Sequence, residues 1–128
     1  MAYKSGFEKD VAKAFKDKGI KFVYEPEVLP FTQPAKERKY TPDFHIRTKT
    51  GVTCFIETKG KLTHEDRQKM IWVKEQHPKK RIVLIFMNAA NKLRKNSKTT
   101  YAQWAEKNGF EWHDFRFGLP KEWIDNDR

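Results

Sequence analysis

Residues 40–60 read YTPDFHIRTKTGVTCFIETKG. Tyr40–Arg47 and Val52–Lys59 are rich in aromatic and β-branched residues, which predicts two strands. Thr48-Lys49-Thr50-Gly51 between them ends on the glycine that a tight hairpin turn uses. The hairpin is expected at the centre of a sheet. Downstream, Thr63-His64-Glu65-Asp66 supplies a helix start, and Met70, Ile71, Val73 and Lys74 continue that helix until Pro78 closes it. Arg81–Met87 contains Ile-Val-Leu-Ile-Phe, the continuous apolar run of a strand covered on both faces. Hairpin, helix and buried strand together predict an α/β sheet with a crossover connection.

Toward the N-terminus, Ser5 caps a predicted helix over 5–18, in which Phe7, Val11, Ala14 and Phe15 recur at helical spacing and Gly19 marks the stop. Ile20–Tyr24 reads as a short strand. Pro26, Pro30 and Pro34, followed by Lys36-Glu37-Arg38-Lys39, disfavour regular structure and predict an extended connector over about 29–39. Toward the C-terminus a basic loop, Lys92–Lys98, leads to a short helix from about Thr100 to Lys107 that Gly109 stops. Phe110–Phe115 is a last candidate strand, and Pro120–Ile124 a docked terminal turn. With no repeat and no Gly/Ser linker, residues 1–128 are expected to form one domain.

Composition narrows the function classes. The chain has 128 residues, with 27 Lys and Arg against 17 Asp and Glu, a net charge of +10. Ten Phe, four Trp and four Tyr supply enough apolar surface for a modest core, which argues against disorder. No apolar run approaches the ~20 residues that cross a bilayer, and the N-terminus lacks a signal-peptide core, so a soluble protein without a membrane partner is expected. The lone Cys54 allows neither an internal disulfide nor a zinc cluster, which fits a reducing cytoplasm. His45, His64, His77 and His113 lack metal-ligand spacing and read as structural or solvated, and Trp72, Trp104, Trp112 and Trp123 as core. The positive charge points to a polyanionic partner, nucleic acid first and an acidic membrane surface second.

Candidate chemistry lies in the hairpin. Pro42-Asp43, thirteen intervening residues, then Glu57-Thr58-Lys59 form a PD…ExK pattern. On paired strands Asp43 and Glu57 converge at one end of the sheet, and Glu57 and Lys59, two apart, project from one face. Two carboxylates suit a hard divalent cation, Mg²⁺ or Mn²⁺, that holds phosphate oxygens, and Lys59 would orient a water or neutralise charge. The competing interpretation is a solvated cross-strand ion pair with no catalytic role, and so short a motif also occurs by chance.

Several segments together resemble the phage endonuclease I family of Holliday-junction-resolving enzymes: Ser5-Gly6-Phe7-Glu8, Lys18-Gly19-Ile20-Lys21-Phe22, Tyr40-Thr41-Pro42-Asp43-Phe44, Ile56-Glu57-Thr58-Lys59-Gly60, Asp66-Arg67-Gln68-Lys69, Glu75-Gln76-His77-Pro78 and Lys92-Leu93-Arg94-Lys95. They occur in order from about Tyr3 to Ile124. The resemblance implies a restriction-endonuclease-like mixed sheet flanked by helices, divalent-metal-dependent cleavage of branched DNA, and an intertwined homodimer. In that dimer residues 1–28 are exchanged through the connector. It also implies that Asp43 and Glu57 bind metal with the Thr58 carbonyl, that Lys59 is catalytic, and that Glu8 is an acidic residue delivered by the partner subunit. For Glu8 the alternative is a purely structural capping box, Ser5-x-x-Glu8. A phage origin, and so the host cytoplasm, follows as an expectation of the same kind.

The chain departs from the family pattern at Val23, where an additional acidic residue is expected, leaving Glu25 or Glu27 to supply it. The family's basic tails are also missing, which leaves a sequence- or replication-directed nickase as an alternative to junction resolution. A non-catalytic DNA-binding module is a further alternative. Candidate DNA contacts are Lys61, Arg67, Lys69 and Lys74 near the hairpin and Lys92, Arg94, Lys95 and Lys98 in the later loop. Each taken singly is an ordinary solvated charge; as a crowded set they suit phosphates.

Overall fold

The structure is a computed structural model that describes residues 3–25, 27–33, 36–48, 51–120 and 123, with only the backbone of 32, 33 and 36–38. Its elements run α1 (Gly6–Asp17), β1 (Val23–Tyr24), β2 (Leu29–Gln33), β3 (Lys36–Tyr40), β4 (Phe44–Arg47), β5 (Thr53–Lys59), α2 (His64–Gln76), β6 (Arg81–Phe86), α3 (Tyr101–Lys107) and β7 (Glu111–Asp114). A 3₁₀ turn over Phe115–Phe117 follows. Five strands form one mixed sheet in the order β1-β4-β5-β6-β7, in which β4 and β5 are antiparallel while β5, β6 and β7 are parallel. The α/β expectation is met. Among the described residues no helix is long and apolar enough to cross a membrane.

Strand alternation explains the two cores. Phe44, Ile46, Cys54, Ile56, Val83 and Ile85 face α1 and pack against Phe7, Val11, Phe15 and Trp123. Phe55, Ile82, Leu84 and Phe86 face the other way, onto Met70 and Val73 of α2 and onto Tyr101 and Trp104 of α3. The sheet is therefore covered on both sides, as the unbroken Ile-Val-Leu-Ile-Phe run requires. Phe15 is fully buried and contacts Phe22, Phe44 and Trp123, so its replacement by Ala should cost about 3–5 kcal/mol. Trp123 docks the C-terminal segment into this core, its amide donating to Pro120 O at 3.1 Å. The rest of the predicted terminal turn, beyond Pro120, lies outside the described residues.

Local signals place the helix starts. Ser5, Thr63 and Thr100 each cap a helix through a side-chain oxygen that accepts an amide of the first turn, and Thr63 with Asp66 and Thr100 with Gln103 close reciprocal capping boxes. Gly109 adopts φ +75°, which ends the α3 turn as its position predicted. In the β4–β5 turn the Gly51 amide donates to Thr48 O and the Thr48 amide to Val52 O, both at 2.9 Å, with Gly51 at φ +84°. Lys49 and Thr50 lie outside the described residues.

Three expectations are corrected. The predicted connector over 29–39 is a hairpin: β2 and β3 pair antiparallel from Leu29↔Tyr40 to Gln33↔Lys36. Leu29, Phe31 and Tyr40 are buried against the α2 layer, and Pro30 is tolerated because this two-stranded ribbon has open edges. Pro26 and Pro34 lie outside the described residues. The strand expected over Tyr40–Arg47 is two strands, with β3 in the ribbon and β4 in the main sheet. Pro42, which has no amide hydrogen, falls in the break. The strand expected over Ile20–Tyr24 shortens to Val23–Tyr24, and Ile20 turns into the core.

Candidate active site

The break between β3 and β4 places Asp43 at the head of β4, beside the C-terminal end of β5. Asp43 Oδ2 accepts the Thr58 amide and the Thr58 hydroxyl, each at 2.8 Å. The alternation of β5 turns Glu57 and Lys59 to the α2 side, as their spacing predicted, and Lys59 Nζ lies 3.1 Å from Glu57 Oε2. The same ammonium lies 3.1 Å from Asp66 Oδ1 at the start of α2. Glu57 Oε1 accepts the Tyr40 hydroxyl at 2.8 Å. Tyr40 and Glu57 are both buried, so the β2–β3 ribbon clamps a carboxylate that Lys59 of β5 balances, and α2 anchors that lysine through Asp66.

From the other side of the sheet comes Glu8, an acidic residue that is buried. The Ser5 hydroxyl accepts the Glu8 amide at 3.1 Å, but the Glu8 carboxylate does not close the expected capping box. It accepts the Lys4 amide and the Tyr24 hydroxyl, both at 2.9 Å, and it hydrogen-bonds the Asp43 carboxyl. Within this one chain, Glu8 reaches the cluster from its own helix. Glu25 lies close by, its amide donating to Asp43 O at 2.9 Å and its carboxylate 3.1 Å from Lys4 Nζ. Val23 is half-exposed and Glu27 exposed.

The electrostatics follow from crowding. Burial, then the charge of Glu57, then the bond to Glu8 raise the Asp43 pKa to about 8, against the two bonds from Thr58 that favour its ionised form. Burial works against the charge of Lys59, but Glu57 and Asp66 outweigh it and hold the ammonium above its ordinary pKa. Burial likewise works against Asp66, and Lys59 and the Thr63 cap together keep its pKa low. Burial, reinforced by Glu57, raises the Tyr40 pKa and keeps its hydroxyl a proton donor.

An excess of converging carboxylates that forces one of them to retain a proton is an arrangement that a cation relieves. The donors are all oxygen, from Asp43, Glu57 and the Thr58 carbonyl, and suit a hard divalent ion. Among the described residues no three His, Cys, Asp or Glu form a ready-made cage. Two carboxylates with water and substrate oxygens completing the shell is how Mg²⁺ is ordinarily held.

The basic residues divide by position. Lys61 is exposed just past β5. Arg67 Nη1 donates to Leu62 O at 2.9 Å, and Lys69 lies 5.2 Å from the Tyr40 ring centre, so both flank the cluster. Lys92, Arg94, Lys95 and Lys98 are exposed in a loop closed by the Lys92↔Thr100 bridge, on the same C-terminal edge of the parallel strands. Lys74 does not join them: its ammonium sits 5.3 Å from the centre of Phe110, at the opposite edge where β7 begins. Tyr40, Tyr24 and Asp66 were not foreseen as part of the site. Asp66 carried a signal as the acid of a cap adjoining the ExK strand, whereas the tyrosines signalled only core.

Comparison with known proteins accords with this geometry. Endonuclease I of Escherichia phage T7 is 41% identical over 123 residues, covering 96% of this chain and 78% of that protein. Endodeoxyribonuclease 1 of Enterobacteria phage T3 is 42% identical over 113 residues, covering 88% of this chain and 72% of that protein. A family model described as phage endonuclease I matches residues 1–128, across every element from α1 to the buried Trp123, and the chain therefore belongs to the phage endonuclease I family.

Proposed function

We propose that the chain is a divalent-metal-dependent DNA endonuclease with a restriction-endonuclease-like fold, which hydrolyses phosphodiesters in four-way junctions and other branched DNA during recombination. The observation that carries this reading is the Asp43–Glu57–Lys59 cluster at a sheet edge that also carries the Lys92–Lys98 loop, in a chain of net charge +10. Family membership supports the activity, since the relatives' names denote endonucleases.

In this mechanism Asp43, Glu57 and the Thr58 carbonyl would hold Mg²⁺ or Mn²⁺. When bound, such a cation supplies positive charge opposite the phosphate and makes a neighbouring water more acidic. Lys59, fixed between Glu57 and Asp66, neutralises charge that builds on the phosphate oxygens. Tyr40 keeps the Glu57 carboxylate aimed along the strand end. Glu8 hydrogen-bonds the Asp43 carboxyl and so holds it in place from the α1 side of the sheet. The exposed lysines and arginine of the later loop, with Lys61, Arg67 and Lys69, hold DNA by its backbone.

The functional body is a homodimer, because two active sites on a two-fold axis can nick symmetrically placed strands of a junction. Exchange of residues 1–28 would preserve the contacts of α1 and β1 and change only which chain donates Glu8. Action in the host cytoplasm fits a phage relative. The test compares a four-way junction with a linear duplex of the same arm sequence, in Mg²⁺ and in EDTA. Metal-dependent preference for the junction is expected, and equal cutting of the duplex refutes branch selection. Light scattering after gel filtration tests the dimer, and a monomer at micromolar concentration counts against it.

A further inference from the structure

The register of the parallel strands aligns Lys59, Phe86 and Asp114 across β5, β6 and β7. The end of β7 therefore stands two strand spacings, about 10 Å, from the catalytic candidates. There the 3₁₀ turn presents Phe117, which is 83% exposed, the most open of the large apolar side chains among the described residues. Gly118, at φ +84°, turns the chain away behind it.

Next to the ring is a built cation. The Arg116 guanidinium lies 5.5 Å from the centre of the Phe117 ring and is clamped by the buried Asp114, with Nε 3.0 Å from Oδ1 and Nη2 2.8 Å from Oδ2. Asp114 is itself fixed by the Ala89 amide at 2.9 Å. Beside this pair opens a cleft of about 530 Å³ between Ala89, Thr100, Trp112 and Leu119. Thr100 is the residue bridged to Lys92, so the basic loop leaves from the rim of the cleft.

An exposed ring backed by a fixed guanidinium, next to lysines that hold phosphates, matches the chemistry by which proteins hold an unpaired nucleotide: stacking for the base and cations for the backbone. A continuous duplex keeps its bases stacked on one another, whereas a branch point interrupts that stacking, and when its arms are unstacked the central pairs offer faces that a ring can cover. Building on the branched-DNA reading above, we infer that Phe117 and Arg116 form a stacking site for an exposed base at the branch.

The test uses the full chain in Ca²⁺, with a four-way junction and a fully paired duplex of the same arms. Phe117→Ala is expected to weaken junction binding about tenfold and leave duplex binding within about twofold. Phe117→Trp is expected to retain junction affinity, and its exposed indole to be quenched by the junction more than by the duplex. Circular dichroism verifies that both variants fold. Unchanged junction affinity in Phe117→Ala, an equal loss on both DNAs, or an indole that the junction leaves unquenched overturns the inference. A changed oligomeric state in Phe117→Ala overturns it too, by assigning the ring to a protein contact. If the unmutated chain cuts neither DNA in Mg²⁺, the nuclease reading fails and the stacking site falls with it. Cleavage that survives while stacking fails strikes the site alone.

Discussion

Asp43 Oδ2 receives both donors of Thr58, the amide and the hydroxyl, at 2.8 Å each. The pairing ties the residue after the Pro42 break to the last turn of the β5 ladder, so that one side chain at once fixes strand register and presents a carboxyl at the sheet edge. Thr58→Val keeps the shape and the amide bond but removes the hydroxyl donor. It should cost about 1–2 kcal/mol in denaturant unfolding. It should also move the pH midpoint of metal-dependent cleavage upward, because fewer donors then favour the ionised carboxyl. Thr58→Ser should restore both.

If Asp43 and Glu57 hold the cation, then Asp43→Asn and Glu57→Gln should each abolish cleavage in Mg²⁺. Junction binding in Ca²⁺ should stay within about a factor of ten, ~1.4 kcal/mol, of the unmutated chain. Gel-shift and cleavage assays on the same samples check this, and undiminished cleavage by either variant removes these residues from the site.

The legibility of this arrangement was uneven for physical reasons. The β4–β5 hairpin, the buried β6 and all three helix starts were legible because caps, a turn glycine and an unbroken apolar run act locally. The β2–β3 ribbon was not. Pro26, Pro30, Pro34 and the charge run masked the Leu29-x-Phe31 alternation, whose two apolar side chains fold back onto α2. Glu57 and Lys59 could be placed on one face from spacing alone. The bonds from Tyr40 to Glu57 and from Tyr24 to Glu8 join residues 17 and 16 positions apart, and no local pattern encodes them. Lys74 was misplaced because a charge near the hairpin in sequence lies, at the far end of α2, on the opposite edge of the sheet.

Asp43 also makes stability depend on pH. Its folded pKa, about 8, lies above the unfolded value of about 3.9, so the fold favours the protonated form. That contribution is fully present below the unfolded value and is lost as pH rises through the folded one. In EDTA the Tm should therefore fall between about pH 5 and about pH 8, and Asp43→Asn should flatten the slope. Mg²⁺ should offset the loss and release protons on binding, measurable by calorimetry in buffers of different ionisation enthalpy.

Asp66 joins the α2 cap to Lys59, with its two oxygens facing the Thr63 amide and the ammonium, each at 3.1 Å. Asp66→Asn retains a carbonyl for the cap and removes the charge that anchors the lysine. Cleavage kcat should fall about tenfold or more with KM little changed. Thr63→Ala should instead lower stability by about 1 kcal/mol. Matching losses of kcat in the two variants would mean that the cap, and not the ion pair, sets the lysine's position.

Position in the fold, not proximity in sequence, should decide which cations meet DNA. Lys92, Arg94, Lys95 and Lys98 are exposed on the edge that carries the carboxylates, whereas Lys74 lies over Phe110 at the other edge. Each phosphate contact contributes about one unit to the slope of log K against log salt. Single alanine substitutions at the four loop positions should weaken junction binding and shallow that slope by about one unit wherever a phosphate is held. Lys74→Ala should leave the slope unchanged. Because it uncovers the Phe110 ring, it should show a small loss of stability instead, about 0.5–1 kcal/mol. Fluorescence anisotropy across a salt series separates the two outcomes: a slope that falls in Lys74→Ala and holds in all four loop variants would place the DNA across the α2 end of the sheet.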